Sequence, residues 1–310
     1  MISGITDIAP LLVDEIKAGD LIRDLRWPNG VCCAHCDNDK VYELKAPNPK
    51  RRQWKCKECR RKFSVTTNSI FEGSHIPLGK WIYAIFLMCS SKKGVSANQL
   101  KRELDINYRS AWFLCHRVRY AMLQEPLASM LGKGGAIVEL DETFVGGKRK
   151  NNRHRRKPGS KATRKTPVMT LIEREGKVVS IKVPNVRKGT LQSLAKPIVD
   201  QSANIVTDAH LSYTGLDQHF HSHHTVDHSE TFVRGIIFHT NFAESYHSLL
   251  KRGIIGTYHH VSDKHLPRYL AEFDWKWNTR KARDGERTAD TIRSAPDKRL
   301  KYSELLGAKK

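Results

Sequence analysis

The sequence predicts a multidomain α/β protein in which two small N-terminal modules precede a larger domain built on a mixed β-sheet. Two patterns predict the modules: a pair of C-x-x-C motifs, and three consecutive amphipathic helical segments between residues 78 and 122. A third pattern predicts the larger domain, because strand-like and helix-like segments follow a glycine-rich break at residues 132–135. At 310 residues, the chain can form one large core and one or two satellite modules.

The charge balance points to a polyanionic partner. The chain has 54 lysine and arginine residues against 32 acidic residues, a formal charge of +22 that recurs along most of its length. A small excess would only keep a protein soluble, but an excess this large favours nucleic acid binding. The longest apolar run, residues 81–89, is about half of what a bilayer requires, and no signal peptide pattern opens the chain. We therefore expect a soluble, cytoplasmic protein with no membrane partner.

The first module is a predicted zinc ribbon at residues 25–72, which follows a short helical lead-in at residues 1–24. Nineteen residues separate its two C-x-x-C pairs, a spacing typical of four-thiolate zinc sites. The predicted ligands are Cys33, Cys36, Cys56 and Cys59. A thioredoxin-like redox motif is disfavoured because no parallel-sheet pattern surrounds either pair. Four thiolates leave no open coordination position, so the zinc is expected to be structural.

The second module, residues 76–128, resembles a helix-turn-helix. Its last two predicted helices are separated by only three residues, and basic side chains accompany the apolar stripe of the final helix. A three-helix packing unit with solvated arginines is the alternative, and the basic final helix favours DNA binding over it. The predicted DNA contacts in this helix are Arg109, Arg117 and Arg119.

The larger domain, residues 134–280, is predicted to place two carboxylates at strand ends. Its first strand covers residues 136–140 and ends at Asp141, and a later strand ends at Asp208. The strand that ends at Asp208 covers residues 204–207. Further predicted segments are strands at residues 168–173 and 178–183 and a helix at residues 190–199. Functional groups in α/β sheets stand at the carboxyl ends of strands, so we expect these two carboxylates to meet.

A later helix can supply a third carboxylate. At ~100° per residue, four of its polar side chains fall within about 80° of arc, opposite an aromatic and leucine face. These side chains are Asn241, Glu244, Ser248 and Lys251. Alone, the pattern is typical of any amphipathic helix. Together with Asp141 and Asp208 it predicts a carboxylate cluster that needs Mg²⁺ or Mn²⁺ to neutralise it and that suits phosphodiester chemistry.

These motifs resemble the DDE-class bacterial insertion-sequence transposases that carry an N-terminal zinc ribbon, the insertion-sequence family fifteen ninety-five. The resemblance runs from Trp27 to about Arg280. It rests on the stretches RWP at residues 26–28, FSVTT at 63–67, LDETFVGGK at 140–148, KTPV at 165–168, HTN at 239–241, and SLLKRG at 248–253 followed by GTYHH at 256–260. The sequence departs from relatives at Ser245 and His247, where family members often carry glycine and tryptophan.

The resemblance implies an RNase H-like catalytic fold whose metal-binding triad is Asp141, Asp208 and Glu244, with Lys251 assisting at the DNA. Some relatives use an asparagine as third member, so Asn241 stays a candidate. The implied reaction begins with water activated by the metal, which cuts at the ends of the element. The freed 3′-hydroxyl then attacks target DNA without a covalent protein intermediate. Double-stranded DNA, a homodimer or higher oligomer, and nucleoid association are the implied partners and location.

Three remaining segments are basic or histidine-rich. Residues 148–165 hold ten lysine or arginine residues and no acidic or aromatic residue, which predicts a loop that contacts phosphates. The predicted DNA contacts in this segment are Lys148, Arg149, Arg155, Arg156 and Lys157. A further predicted contact is Arg252, which follows Lys251. The histidines at 219, 221, 223, 224 and 228 lack regular ligand spacing and favour a basic edge over a second metal site. Residues 281–310 are predicted to form a basic tail.

Two other functions remain compatible with these patterns. One is a DNA-binding regulator in which the zinc ribbon and helix-turn-helix work beside a catalytically inactive domain. The other is a structure-specific nuclease on the same catalytic fold, which would cleave DNA without joining it.

Overall fold

The structure is a computed structural model that describes residues 2–45, 52–125, 127, 131–146, 165–226 and 240–307. The chain forms two compact units. The first combines Met1–Leu123 with Thr279–Lys310, and the second is Gln124–Asn278. The second unit is therefore inserted into the sequence of the first. None of the helices in the described ranges is long and apolar enough to cross a membrane.

The first unit opens with two helices, α1 (Ile5–Val13) and α2 (Glu15–Arg26), where the sequence predicts a short helical lead-in. Asp14 separates them because its side chain caps α2: Oδ1 accepts hydrogen bonds from the Ile16 and Lys17 amides at 3.1 and 3.0 Å. The helices contribute Ile8 of α1 and Ile22 of α2 to the core.

A small antiparallel sheet follows in the predicted ribbon. Its strands are β1 (Val41–Leu44), β2 (Gln53–Cys56) and β3 (Lys62–Phe63), in that order. Trp54 and Phe63 stack with ring centroids 6.0 Å apart, and Trp27 meets both rings edge-on at 5.9 and 5.8 Å. All three rings are buried, so this aromatic cluster supplies the core of a module too small to build a larger one.

Three helices occupy the stretches that the apolar periodicity predicts. They are α3 (Leu78–Ser90), α4 (Ala97–Leu104) and α5 (Tyr108–Ala121). Side chains set the starts of the last two, because Ser96 Oγ accepts from the Gln99 amide at 3.1 Å and Asn107 Oδ1 accepts from the Ser110 amide at 2.8 Å. Asp105 ends α4 in the left-handed region, at φ +48°.

The second unit is built on a five-stranded mixed sheet. Its strands are β4 (Ile137–Val145), β5 (Thr166–Glu173), β6 (Val178–Lys182), β7 (Asn204–Asp208) and β8 (Ser222–Val226). The order across the sheet is β6-β5-β4-β7-β8. Strands β4, β5 and β6 are antiparallel neighbours, whereas β7 and β8 run parallel to β4. The predicted mixed sheet is thus confirmed, and β4 is longer than predicted because its pairing with β5 reaches Val145.

Helices cover both faces of this sheet. They are α6 (Lys188–Ile198), α7 (Asn241–Gly253) and α8 (Leu266–Asn278). One buried cluster joins Leu140 of β4 with Leu191 of α6. A second joins Val168 of β5 with Tyr246 of α7 and includes α8. The two clusters define an α6 face and an α7 face of the sheet.

The chain then returns to the first unit. Helices α9 (Asp284–Arg293) and α10 (Tyr302–Leu306) lie in the segment that the sequence predicts as a basic tail. They are packed rather than loose, since Gly285 lies so close to the N-terminal backbone that a Cβ there would stand 1.9 Å from the Ile2 carbonyl oxygen. Lys298 Nζ also donates to the Ala121 and Leu123 carbonyls at 3.0 and 2.7 Å.

Candidate functional site

The first unit holds a cluster of four cysteines formed by two matching turns. The residue after the second cysteine of each pair, Asp37 or Arg60, adopts positive φ, +56° and +58°. Each turn is closed by the backbone, because the Cys33 amide donates to the Asn38 carbonyl at 2.9 Å and the Cys56 amide donates to the Arg61 carbonyl at 3.1 Å. The two knuckles thereby point their sulfurs at one centre.

The sulfurs are close enough to share one metal ion. The Sγ atoms of all four cysteines, Cys33, Cys36, Cys56 and Cys59, lie within 4.8 Å of one another. Two of the separations are 3.5 Å, for Cys33 to Cys59, and 3.8 Å, for Cys36 to Cys56. Four soft thiolates around one point are the donor set of a closed, structural zinc site, as the sequence predicts.

In the second unit, the carboxylates of Asp141 and Asp208 meet where the parallel pairing of β4 with β7 ends. The pairing of β4 with β7 ends at Leu140 opposite Thr207, so the next residue on each strand stands side by side on one face. That face is the α7 face, since Leu140 belongs to the α6 cluster and side chains alternate. The predicted meeting of these two carboxylates is therefore observed.

Glu142 joins this pair, although the sequence analysis did not select it. Carboxylate oxygens of Asp141, Glu142 and Asp208 lie within 4.8 Å of one another. By strand alternation Glu142 belongs to the α6 face, next to Tyr213, which lies in the α6 cluster. The Asp141 carboxylate accepts a hydrogen bond from the Glu142 amide at 2.7 Å. Carboxylates from both faces of the sheet thus meet where the pairing of β4 with β7 ends.

The protein environment makes the charged form of Glu142 unfavourable. Burial raises the pKa of Glu142 to about 7, and the charges of Asp208 and Asp141 add to the effect of burial, while Tyr213 opposes it. The pKa of the Tyr213 hydroxyl is also raised well above its usual value, first by burial and then by the charges of these three carboxylates. A cation at this point would relieve the repulsion.

His247 links α7 to this cluster. Its imidazole is buried, with 6% of the residue exposed. Nδ1 lies 3.3 Å from Asp141 Oδ2, and Nε2 lies 2.9 Å from the hydroxyl of Thr170 on the neighbouring strand β5. The imidazole therefore connects the helix, the central strand and the next strand.

Glu139 fixes the start of the same helix. The residue is completely buried, and its Oε2 accepts hydrogen bonds from the Phe242 and Ala243 amides at 3.0 Å each. Its Oε1 pairs with Arg174 Nε at 2.9 Å. A carboxylate at a helix N-terminus satisfies amides that have no partner in the helix and complements the helix dipole. Its signal in the sequence was an acidic residue two positions before Asp141, on the same strand face.

The other predicted residues of α7 lie along its exposed edge. Asn241, Glu244, Lys251 and Arg252 are all exposed, Asn241 and Glu244 in the first turn and Lys251 and Arg252 in the last. Glu244 is three residues before His247 and is therefore about 60° away around the helix. Its carboxylate does not form a group with Asp141 and Asp208 of the kind that Glu142 forms. The structure thus brings together two of the three predicted triad members.

Two of the three predicted DNA contacts in α5 are buried. Arg117 and Arg119 are only 6% and 2% exposed. Arg117 donates to the carbonyls of Leu300 and Glu72 at 3.2 and 2.8 Å, and burial lowers its pKa to about 10. The burial of both arginines argues against the prediction that they bind DNA. Arg109 is exposed and lies over the Tyr302 ring at 4.2 Å.

Of the remaining predicted positions, those that the structure describes form no further group able to hold a metal. Lys148, Arg149, Arg155, Arg156 and Lys157 lie outside the described residues, as does His228. Among the residues that the structure describes, no histidine belongs to a group able to hold a metal. His223, on the edge strand β8, instead shares a 2.9 Å hydrogen bond with the hydroxyl of Thr207 on β7.

The carboxylate cluster fits a hard divalent cation. Its donors are all carboxylate oxygens, the ligands that Mg²⁺ and Mn²⁺ prefer. Glu142 Oε1 is buried and has no hydrogen-bond partner among the described residues. Such an orphaned oxygen is costly unless a ligand satisfies it. Zinc, which favours nitrogen and sulfur ligands, fits the cysteine cluster better than this one.

Comparisons with known proteins match the segments that hold the two clusters to transposase domains. The family model described as an ISXO2-like transposase domain matches residues 132–278, and the model described as a transposase zinc-ribbon domain matches residues 13–62. Similar proteins include one from Halobacterium salinarum, "Uncharacterized protein in transposable element ISH50", 29% identical over 84% of this chain and 90% of the relative. Another is an "Uncharacterized transposase-like protein" of Haemophilus influenzae, 29% identical over 33% of this chain and 81% of the relative.

No solved structure matches the chain. The two family models nevertheless cover the cysteine cluster and the carboxylate cluster separately, and both belong to the same transposase family. The chain therefore belongs to the IS1595 family of insertion-sequence transposases, with a zinc-ribbon domain and a DDE-type transposase domain.

Proposed function

We propose that this protein binds the terminal inverted repeats of its insertion sequence and catalyses metal-dependent cleavage of the 3′ ends and their transfer to target DNA. The observation that carries the proposal is the meeting of Asp141 and Asp208 just beyond the last parallel pair of β4 and β7, with oxygens within 4.8 Å. Hydrolysis of a phosphodiester and its transfer to a hydroxyl both require an activated oxygen and a stabilised leaving oxygen.

The catalytic domain supports this chemistry by its topology as well. Its three antiparallel strands, continued by two parallel ones with helices on both faces, support the RNase H-like fold that the family resemblance implies. The central strand β4 carries Asp141, and its parallel neighbour β7 carries Asp208.

Asp141 and Asp208 would hold the divalent cation, and Glu244 would approach from the exposed edge of α7. A cation there would activate the attacking oxygen and stabilise the leaving one. His247 orients the Asp141 carboxylate through its 3.3 Å contact. Lys251, exposed in the last turn of α7, would contact a DNA phosphate, and Arg252 beside it would do the same. Asn241 begins the same edge and would contact the DNA or the cation.

Recognition of the DNA ends is assigned to the first unit. Its ribbon exposes several cations around the second knuckle and β3, namely Lys57, Arg60, Arg61 and Lys62. Helix α5 offers its exposed N-terminal residues Tyr108 and Arg109, the part of a recognition helix that reads bases in a helix-turn-helix. The basic loop at residues 148–165 would add contacts to phosphates that carry no sequence information.

The protein is further proposed to act as a homodimer or a higher oligomer on the nucleoid. An insertion sequence has two ends, and the described part of one chain provides a single carboxylate cluster of this kind. Two ends that react together therefore require at least two chains. Binding to both element ends and target DNA is consistent with the charge of +22.

The test is a reaction of the purified protein with a duplex that carries the element's end sequence and Mg²⁺. The expected products are 3′-end nicks and molecules joined to a target duplex, and both should disappear in Asp141→Ala and Asp208→Ala. Cleavage without joining would instead support a structure-specific nuclease. If Asp208→Ala and Glu244→Ala leave every activity unchanged, the regulator is supported and the proposal fails.

A further inference from the structure

We propose that Glu142, backed by Tyr213, supplies a further oxygen ligand to the divalent cation held by Asp141 and Asp208. This inference rests on the cation site of the proposed function. In the sequence motif, Glu142 is only the neighbour of Asp141. The inference makes Glu142 a cation ligand that comes from the α6 face of the sheet. Glu244, the third member implied by family resemblance, belongs to α7 and would approach from the opposite face.

The geometry of the strand end brings Glu142 into the cluster. Strand β4 continues to Val145, whereas its pairing with β7 ends at Leu140 opposite Thr207. Beyond that point the edge of β4 that faced β7 no longer has a strand beside it. Between two paired strands, the Glu142 side chain would point away from Asp141. Along the unpaired side of β4 it can reach the carboxylate cluster, and its oxygen lies within 4.8 Å of oxygens of both aspartates.

Tyr213 gives a second and independent sign of a ligand at this point. The residue is 1% exposed, and its hydroxyl has no hydrogen-bond partner among the described residues. Glu142 Oε1 is likewise buried without a partner there. Two buried polar oxygens that face each other unsatisfied would each be costly. A cation that binds one Glu142 oxygen would leave the other to accept the Tyr213 hydroxyl, and both costs would be removed.

The alternative role for Glu142 is structural, and stability separates the two roles. As a cation ligand, Glu142 is one of three crowded carboxylates and should destabilise the unit when the cation is absent. Glu142→Gln should then raise the melting temperature without divalent cation and reduce the increase that Mn²⁺ produces. As a structural residue, Glu142 should contribute to stability in both conditions, and the same substitution should lower the melting temperature in both.

The experiment measures Mn²⁺ binding by calorimetry, and melting with and without Mn²⁺, on the full-length zinc-loaded protein in the absence of DNA. We expect Glu142→Gln to weaken Mn²⁺ binding by about tenfold or more, as loss of a ligand or its support does in other metal sites. Tyr213→Phe should weaken it less and, because it removes a buried hydroxyl that has no partner among the described residues, should raise the cation-free stability. The matched control is Glu175→Gln, which alters an exposed glutamate in the turn between β5 and β6 and should bind Mn²⁺ as the unaltered protein does.

Each result decides one question. Unchanged Mn²⁺ affinity in Glu142→Gln would overturn this inference, even if Asp141→Asn abolishes binding and DNA cleavage proceeds as proposed. Loss of Mn²⁺ binding in Glu142→Gln would support it, even if the protein neither cuts nor joins DNA. The failure of the proposed function is therefore distinguishable from the failure of the ligand assignment. Tyr213→Phe serves as the second variant if Glu142→Gln does not fold.

Discussion

The Nδ1 atom of His247 lies 3.3 Å from the Oδ2 atom of Asp141, and the other ring nitrogen lies 2.9 Å from the Thr170 hydroxyl. The imidazole is thus held between α7 and two strands at the carboxylate cluster. A group that fixes the orientation of a metal-ligating carboxylate affects its affinity for the cation and its activity without touching substrate. His247 is in this sense a positioning residue.

We expect His247→Ala to lower the rate of end cleavage at saturating Mg²⁺ by about tenfold or more, the usual cost of losing such a support. His247→Asn should retain more activity than alanine, because its amide can still donate to Asp141. The control is Ser245→Ala, at an exposed position of the same helix. Equal rates for alanine, asparagine and the unaltered protein would contradict the role.

Replacing Glu139 should destabilise the second unit strongly. Its buried carboxylate accepts two amides at the start of α7 and pairs with Arg174, so Glu139→Ala leaves a guanidinium without its counterion and helix amides without acceptors. Breaking a buried pair of this kind costs about 3–5 kcal/mol. Urea denaturation should show this loss, whereas Glu175→Ala, at an exposed turn, should change the stability by less than about 0.5 kcal/mol. A similar stability for both variants would refute the anchoring role.

The stability of the second unit should depend on the ionisation of Asp274 in α8. Its carboxyl oxygens accept hydrogen bonds from Tyr246 at 2.5 Å and from the Ser180 side chain and amide at 2.7 and 2.9 Å. Burial of the carboxyl nevertheless raises its pKa to about 7. Between about pH 4 and 7 the folded unit therefore keeps a proton that the unfolded chain has released.

The consequence is a contribution to stability that is largest near pH 4 and falls as the pH rises through 7. Subtracting the unfolding free energy of Asp274→Asn from that of the unaltered protein, measured across pH 5–8, should reveal this slope because other titrating groups cancel. Asp217→Asn, the same substitution at an exposed position of the unit, serves as the comparison. A difference curve for Asp274→Asn that is flat or rises with pH would rule out the raised pKa.

The zinc cluster and the carboxylate cluster should be separable by substitution. Cys56→Ser removes one of four thiolates and should release zinc, unfold the ribbon and abolish binding to the element's end. Asp141→Asn leaves the ribbon unchanged and should bind the end normally while failing to cleave it. Fluorescence anisotropy with a labelled end duplex, together with zinc content, tests both. Equal end binding by the two variants would exclude this division of labour.

Two arginines of α5 should behave in opposite ways. Arg109 is exposed, so Arg109→Ala should weaken DNA binding, reduce its salt dependence by about one counterion and leave folding unchanged. Arg117 is 6% exposed and donates to two carbonyls, so Arg117→Ala should instead lower the melting temperature. If Arg117→Ala folds as stably as Arg109→Ala and loses DNA affinity equally, the structural role of Arg117 is wrong.

The sequence predicted the features that depend on local spacing. The two cysteine pairs, helices α3 to α5 and the end of β7 at Asp208 follow from motif spacing, apolar periodicity and capping residues close in the chain. The antiparallel pairing that extends β4 to Val145 was missed, because it depends on its partner strand β5 rather than on the sequence of β4.

The features that the sequence did not reveal depend on contacts between distant segments. Glu142 was overlooked because strand alternation places it opposite Asp141, and only the unpaired edge of β4 brings the two together. Arg117 was assigned to DNA because a basic helical residue is usually solvated. Its partners are the carbonyls of Glu72 and Leu300, 45 and 183 residues away. The sequence pattern of the helix alone does not predict such partners.

The way the chain divides between the two units has a consequence for how the protein is made. The unit that begins the chain also requires α9 and α10, which come after the whole catalytic unit. During synthesis the zinc ribbon and α5 therefore emerge early but lack the contacts of Leu300 and Lys298 until the whole second unit has been translated. A chain that stopped after Asn278 would keep every residue of the carboxylate cluster but would lack α9 and α10. Its first unit would therefore be incomplete even though its second unit had been made in full.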